Sequence, residues 1–541
     1  MPAAQDEHPT LYRKLEAALQ SRFSLILALV FVLALSLRLI YLNQMDQGIY
    51  FNILKMEGTD CFLFWKWALE IIEKDFLGSG VYHQSPLYPY FLAAIFKIFG
   101  ANFYIPRFLQ MALGSITCVM IALLGRRAGG PVAGVLAGLF AAIYGPLILY
   151  DGAILRTNLI TFINTLVVLL MFRVQDRPGF ASGLVLGLVY GLAILAKENI
   201  LILIPGLIVW SLLLKKGTGW KPVAPLLLGL VLGPGFVFGL LVARNLKVGA
   251  PAFSISSRGP LEFISGNVPQ SPGVGWAIPE NADRMLQASA GKMTGAIREV
   301  LKENREDPWG LAQKQFTKLA AFLNNYEFPN NISLYVERRY VPFFRLPWPG
   351  FAVALAFSLI GMAAGRKRWR ELFPLYAYVL LYALATVAFY ILARFRIPLV
   401  PALIGWAGLG SAVILREILE RKVLRGIAWL LLAAGLIAVN RPRPADRLIV
   451  GDYQNMARYH LISGQPERAK EILQEGIVRT RQILAEKDSA EYRFRLARLL
   501  LLLGAPRQVI LPELDHALGL SPPLYLKLSL DSLRGQLERV K

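Results

Sequence analysis

A chain of 541 residues with 55% hydrophobic and only 17% charged side chains, and a mean hydropathy of +0.48, departs strongly from soluble averages and predicts a mainly α, polytopic membrane protein. The net charge of +22 does not point to nucleic acid, because the surplus Lys and Arg punctuate apolar runs, as membrane topology and anionic lipid require. Cys61, Cys118 and four scattered histidines offer neither a disulfide framework nor thiolate or imidazole ligand spacing, so any metal would need oxygen ligands.

Residues 1–22 are polar and read as a cytoplasmic segment, and the apolar run 23–42 has about the 20 residues needed to span hydrocarbon. It is too long for a signal-peptide core and no clear small-residue cleavage site follows, so an uncleaved first helix is expected. Arg38 lies in its outer part, where an ionisable residue suggests function or snorkelling to headgroups. Next comes "MEGTDCFLFW" at 56–65, with Glu57 and Asp60 one helical turn apart before an aromatic run. "HQSPLYPYFLAAIFKIFG" at 83–100 reads as a Pro-rich turn entering an apolar helix, with Tyr88 and Tyr90 suited to the interface.

Further spans are expected at 107–125, 131–149, 155–172, 180–196, 199–214, 223–243, 349–365, 372–392, 397–415 and 426–439, about eleven in all. Five basic clusters share one side: Arg126 and Arg127; Arg173 and Arg177; Lys215, Lys216 and Lys221; "RKRWR" at 366–370; and Arg416, Arg421, Lys422 and Arg425. With that side cytoplasmic, the long segments 44–106 and 244–348 are extracytoplasmic. The tail, 440–541, follows them outward if 426–439 crosses. Around Gly464 and Gly504 the tail shows helix, turn and second amphipathic helix, which predicts tetratricopeptide-like hairpins or a plain helical bundle, and a surface for a protein partner.

The outer face should be poor in Lys and Arg, yet Arg156, Lys197, Arg244, Arg394 and Arg396 sit at outer helix ends. Their null explanation is anionic headgroups; the alternative is a bound phosphate. Asp60, next to an interfacial aromatic helix, should experience a low dielectric that raises its pKa and makes it an effective base. Outward carboxylates beside outward guanidinium groups suit glycosyl transfer from a lipid-linked phosphate. "NIS" at 331–333 matches a glycosylation acceptor pattern and receives little weight.

At these residues the chain resembles the multi-spanning GT-C glycosyltransferases, in particular the bacterial relatives of protein O-mannosyltransferases and of lipid A aminoarabinose transferase, glycosyltransferase family 39. The resemblance rests on the Asp60 segment with "WKWA" after it, on the 83–100 stretch followed by "PR" at 106–107, on "ARNLKVGAPAFSISSRGPLEFISGN" at 243–267 and on "FYILARFRIPLVPAL" at 389–403. It covers roughly residues 20 to 415. It implies a GT-C domain over 23–439, a polyprenyl-phosphate sugar donor, a lipid, glycan or protein acceptor, a cell inner-membrane location with an extracytoplasmic site, and inversion at the sugar. It also implies that Asp60 is the catalytic base or an acceptor contact, with Glu57 a weaker second and Asp151 a further acid. Substrate contacts are expected from Arg38, His83, Lys197, Arg244, Arg394 and Arg396. The family often has a Lys before the Pro-rich stretch, where this chain has His83, Gln84 and Ser85; His83 could replace that cation only if protonated. No cofactor is required; a divalent cation is compatible with Glu57 and Asp60. The rival readings are a secondary transporter or lipid flippase, which predicts related halves and matching broken helices, and a non-catalytic membrane anchor for the tail.

Overall fold

The computed structural model describes residues 10–440 except 277 and 280, and 449–539 except 487 and 523. The beginning of the polar N-terminal segment (1–9) and the join to the tail (441–448) lie outside the described residues. Helix α1 (Leu11–Ser21), capped by the Thr10 hydroxyl, leads into α2 (Phe23–Gln44), whose Leu25, Leu29, Val32 and Ile40 are exposed as lipid-facing residues should be. The first outer segment carries α3 (Asp60–Glu73) and α4 (Leu87–Phe99). The α3 residues Cys61, Phe64, Trp65, Ala68 and Ile71 recur at helical spacing and are buried. Trp65 meets Phe96 with ring centroids 4.5 Å apart and Phe64 meets Tyr88 at 5.2 Å, which fixes α3 against α4.

Helix α5 (Ile105–Ile143) contains a reversal at Gly129 and Gly130, the latter at φ +81°. The chain doubles back on itself, because a Cβ on Gly125 would lie 2.6 Å from that of Ala137. The run expected to span 131–149 is broken at Tyr144, and α6 (Gly145–Gly152) turns away as a separate short helix. The bundle continues with α7 (Thr157–Asp176), α8 (Phe180–Ala196), α9 (Ile204–Thr218) and α10 (Trp220–Lys247). The second outer segment folds into α11 (Arg258–Asn267), α12 (Ala282–Ala288), α13 (Met293–Glu303), α14 (Pro308–Leu323) and α15 (Leu334–Tyr340). Ile264, Val268, Ala282, Met285, Ala296 and Val300 form a small core among α11–α13.

The chain returns to the bundle as α16 (Phe351–Gly365), α17 (Phe373–Ala388), the single turn α18 (Ala393–Arg396), α19 (Val400–Leu419) and α20 (Val423–Val439). Helices α16 and α19 cross at backbone contact: a Cβ on Gly361 would fall 2.0 Å from the Trp406 carbonyl oxygen. Among the described residues, six helical stretches are by length and composition apolar and long enough to cross a membrane, the doubled α5 among them, and α4, α8, α17 and α20 are shorter apolar helices. The chain is an integral membrane protein.

Several basic clusters meet at one end of the bundle. Arg127 pairs with Asp176 at 2.7 Å, Arg368 donates to the Ala128 carbonyl at 2.9 Å, and Arg126 reaches Gln20 of α1 at 3.2 Å. The opposite end carries the outer segments and the tail, α21 (Val450–Ile462), α22 (Pro466–Glu486), α23 (Ala490–Leu502), α24 (Arg507–Gly519) and α25 (Leu524–Arg539). Left-handed Gly464 and Gly504 turn α21 into α22 and α23 into α24. The tail docks on the outer segments: Lys55 donates to Ser463 at 2.8 Å, Arg339 holds Glu475 through two bonds of 2.9 and 2.7 Å, and Tyr340 meets His460 at 3.0 Å. It therefore shares their face, as a crossing by α20 requires.

Candidate active site

Asp60 occupies the first turn of α3 because Gly58, at φ +80°, turns the chain and Thr59 caps the helix by accepting from the Phe62 amide at 3.3 Å. Its carboxylate is held on three sides. Arg394 donates to Oδ2, Asn331 donates to the same oxygen at 3.0 Å, and Gln84 donates to Oδ1 at 3.0 Å. Asn331 also accepts from the Asp60 amide at 3.1 Å, and it reaches both atoms from a left-handed φ of +65°, a conformation Asn tolerates better than most.

Arg394 is delivered by the extended stretch 389–393. Ile391 exchanges backbone bonds with Gly273 (3.1 Å) and Gly275 (3.0 Å), and the Ala393 amide donates to Phe328 at 3.0 Å. The irregular second outer segment thus stitches the Arg394 turn above Asp60.

Beside this pair lies a cavity of about 430 Å³, lined on its polar side by Arg156, Lys197, Glu198, Arg258 and Glu262 and on its apolar side by Leu201, Ile202, Phe263, Met293, Ile297 and Phe389. Arg156 is 7% exposed. Neither the Arg156 nor the Lys197 side chain donates a hydrogen bond or forms an ion pair with any described residue; the Lys197 ammonium instead sits 3.3 Å from the Phe395 ring centroid. Glu262 and Asp60 act on both groups through space, but neither makes a direct ion pair with them, which leaves their nitrogens open to a bound anion. Arg258 is already engaged, 3.6 Å from Glu262 and 3.5 Å from His83 Nε2.

The electrostatics correct one expectation. Burial alone would raise the Asp60 carboxyl, but the charge and hydrogen bond of Arg394, joined by Arg156 and Asn331, outweigh it and hold Asp60 well below the usual carboxylate range. Asp60 is ionised, not a carboxyl poised near neutrality. Burial, with Arg156 beside it, pushes the Lys197 ammonium well below its ordinary value. His83 is lowered by burial and by Arg258, so it stays neutral and cannot replace the cation missing from its position.

The expected contacts divide sharply. Asp60, Lys197 and Arg394 are brought to this site, and His83 touches its rim through Arg258. Arg38 is elsewhere: fully buried, it donates to Asp151 at 2.8 Å, and Asp151 accepts in turn from Asn158, so the two expected substrate contacts neutralise each other inside the bundle. Arg396 is 2% exposed and spends its guanidinium on Glu327 (2.9 Å) and the carbonyls of Phe322 and Tyr326 (3.0 and 3.2 Å). Arg244 clamps the Leu77 and Gly80 carbonyls at 2.6–2.8 Å, while Glu57 is exposed and does not line the cavity. The residues do not fit a divalent cation: Asp60 already shares its charge with a guanidinium, and no three His, Cys, Asp or Glu side chains among the described residues are grouped to hold one. Gln84, Asn331 and Arg258 were not singled out in the sequence. Asn331 stood out there only as the first residue of "NIS", whose meaning here is structural.

Residues 83–237, less than a third of the chain, match the family model described as dolichyl-phosphate-mannose-protein mannosyltransferase. The stretch contains Arg156 and Lys197. No match is found among curated protein sequences. Among solved structures, the apo oligosaccharyltransferase of Archaeoglobus fulgidus is 13% identical with a TM-score of 0.45, over 82% of this chain and 58% of that one. The same organism's AglB, in complex with an inhibitory peptide and a dolichol-phosphate, is 13% identical with a TM-score of 0.44, over 82% and 55%. ArnT from Cupriavidus metallidurans, bound to undecaprenyl phosphate, is 16% identical with a TM-score of 0.42, over 92% and 76%. The chain thus spans less than two-thirds of the length of the archaeal chains it resembles.

Proposed function

We propose that this chain transfers a sugar from a polyprenyl-phosphate donor to an acceptor hydroxyl on the extracytoplasmic face of the membrane. The observation that carries the reading is that the Arg156 guanidinium and the Lys197 amine, neither in a direct ion pair, line a cavity with an apolar wall beside an ionised carboxylate. The phosphate enters between the two cations and the lipid lies along Leu201, Ile202 and Phe389. The match of residues 83–237 to a family named for a polyprenyl-phosphate sugar donor supports the same assignment.

Asp60 is a weak base while Arg394 holds it. A donor phosphate gives Arg394 a second anion, and as the guanidinium turns toward it Asp60 regains basicity. The acceptor oxygen then bonds to the anomeric carbon and its proton passes to Asp60. The bond from the anomeric carbon to the phosphate oxygen breaks, and polyprenyl phosphate leaves with the electron pair, stabilised by Arg156, Lys197 and Arg394. Attack opposite the leaving group inverts the anomeric centre. Glu198 and Glu262, on the polar wall, are placed for sugar hydroxyls; the sugar is left open between hexose and pentose.

Purified protein supplied with polyprenyl-phosphate sugars and candidate acceptors tests this directly. Asp60→Asn should lower transfer about 10²–10⁴-fold while still binding donor. Parental rates in that variant would remove Asp60 from the chemistry, and failure of the parent to bind any lipid-phosphate sugar would remove the donor assignment.

A further inference from the structure

Helix α14 exposes large apolar side chains while it buries a charged one. Its outward side carries Trp309, Phe316, Leu319 and Leu323 with the polar Gln313 and Thr317 between them, and Trp309 and Phe316 are each 66% exposed. Its inward side carries Lys314 and Lys318, and Lys318 is fully buried. The Lys318 ammonium donates to the Phe389 carbonyl at 2.7 Å, to Asn267 Oδ1 at 2.9 Å and to the Gly266 carbonyl at 3.3 Å, which uses all three of its protons. In water this arrangement loses twice, by burying an ammonium and by exposing indole and phenyl rings. In hydrocarbon both terms reverse.

We infer that the outward face of α14, together with Ile297 and Leu301 of α13, is seated in the outer leaflet of the bilayer. The placement is continuous with the lipid-facing belt. Helix α14 packs on α17, whose Leu380 and Leu384 are exposed, and its last carbonyls lie against the end of α20, where Asn440 donates to Leu323 and accepts from the Asn325 amide. The inward side of α14 also touches the cavity wall. Lys318 ties the helix to Phe389, a wall residue, and Ile297 is both exposed and part of the lining, so the apolar wall opens sideways into the leaflet.

The test needs no knowledge of substrate, so it stands or falls apart from the glycosyl-transfer reading. Cys61 and Cys118 are buried, which allows single labelling sites in the full chain. Phe316→Cys, Leu319→Cys and, as a solvent-facing control, Arg284→Cys are labelled with an environment-sensitive fluorophore in vesicles of phosphatidylethanolamine and phosphatidylglycerol. At 316 and 319 the emission should be blue-shifted and quenched several-fold more by doxyl-labelled lipid than at 284, and protected from iodide. Iodide quenching at 316 equal to that at 284 overturns the inference. Protection from both iodide and doxyl lipid also overturns it, because the face is then covered by protein, either a second copy or a partner.

Discussion

Asp60 and Lys197 are tuned in opposite senses by the same surroundings, and each makes a different prediction. Asp60 has gained cationic neighbours, so it holds its charge against burial; Lys197 is buried and lies beside Arg156, so the cost of carrying its own charge is high. A donor phosphate reverses that cost, and binding should therefore take up a proton. Because the free Lys197 is depressed, donor affinity should fall as pH rises through its value in the empty site. Calorimetry in buffers of different ionisation enthalpy should show the uptake in the parent, and none in Lys197→Met. The same variant loses a charge-assisted contact worth about 1.5–3 kcal/mol, roughly 10–150-fold in donor affinity. The contrast between Arg394 and Arg396 explains why site residues could be read only in part from "ARFR". Two residues apart on a helical turn, their side chains leave on nearly opposite sides, one toward Asp60 and the other into Glu327. Which faces the cavity depends on the stitching of 389–393 to the outer segment, and no local pattern records it.

At the scale of elements, apolar length and basic punctuation made most of the bundle legible, while breaks made by small residues were harder to place. The reversal at Gly129 and Gly130 follows the RR at 126–127, so charge marked a turn that hydropathy alone would have run through. At Tyr144 the mark is the Gly145–Pro146 pair alone, without charge, and hydropathy runs straight through it. Arg38 and Asp151 look like exposed functional charges in sequence because their partners are 113 positions apart; their neutralisation is a property of packing α2 against α6. Packing also sets a prediction at the crossing of α16 and α19. Gly361→Val would drive a side chain into the Trp406 carbonyl, which only separation of the helices relieves. The cost should be at least about 1–3 kcal/mol, seen as a lower unfolding midpoint in detergent.

For the molecule as a whole, the docked tail makes a prediction about acidity. Burial raises Glu337 of α15 to about 7, against the Tyr41 hydrogen bond and Arg107, and raises Asp452 of α21 to about 7, against hydrogen bonds from Ile449 and Ser333. Both carboxyls bind protons more tightly folded than unfolded, where the reference values are 4.5 and 3.8. Stability is therefore lost as pH rises through the window between those values and about 7. Amide exchange in α21, corrected for its intrinsic pH dependence, should speed up between mildly acidic and neutral buffer. Asp452→Asn should flatten the response. Asp452 bonds Ser333, two residues from the Asn331 that grips Asp60, and Lys55 bonds Ser463 from the other side of the same loop. Asp60, its Asn331 clasp and the helix bracing that clasp come from three separate stretches of the chain, so the candidate site takes its final geometry only when all three have packed together.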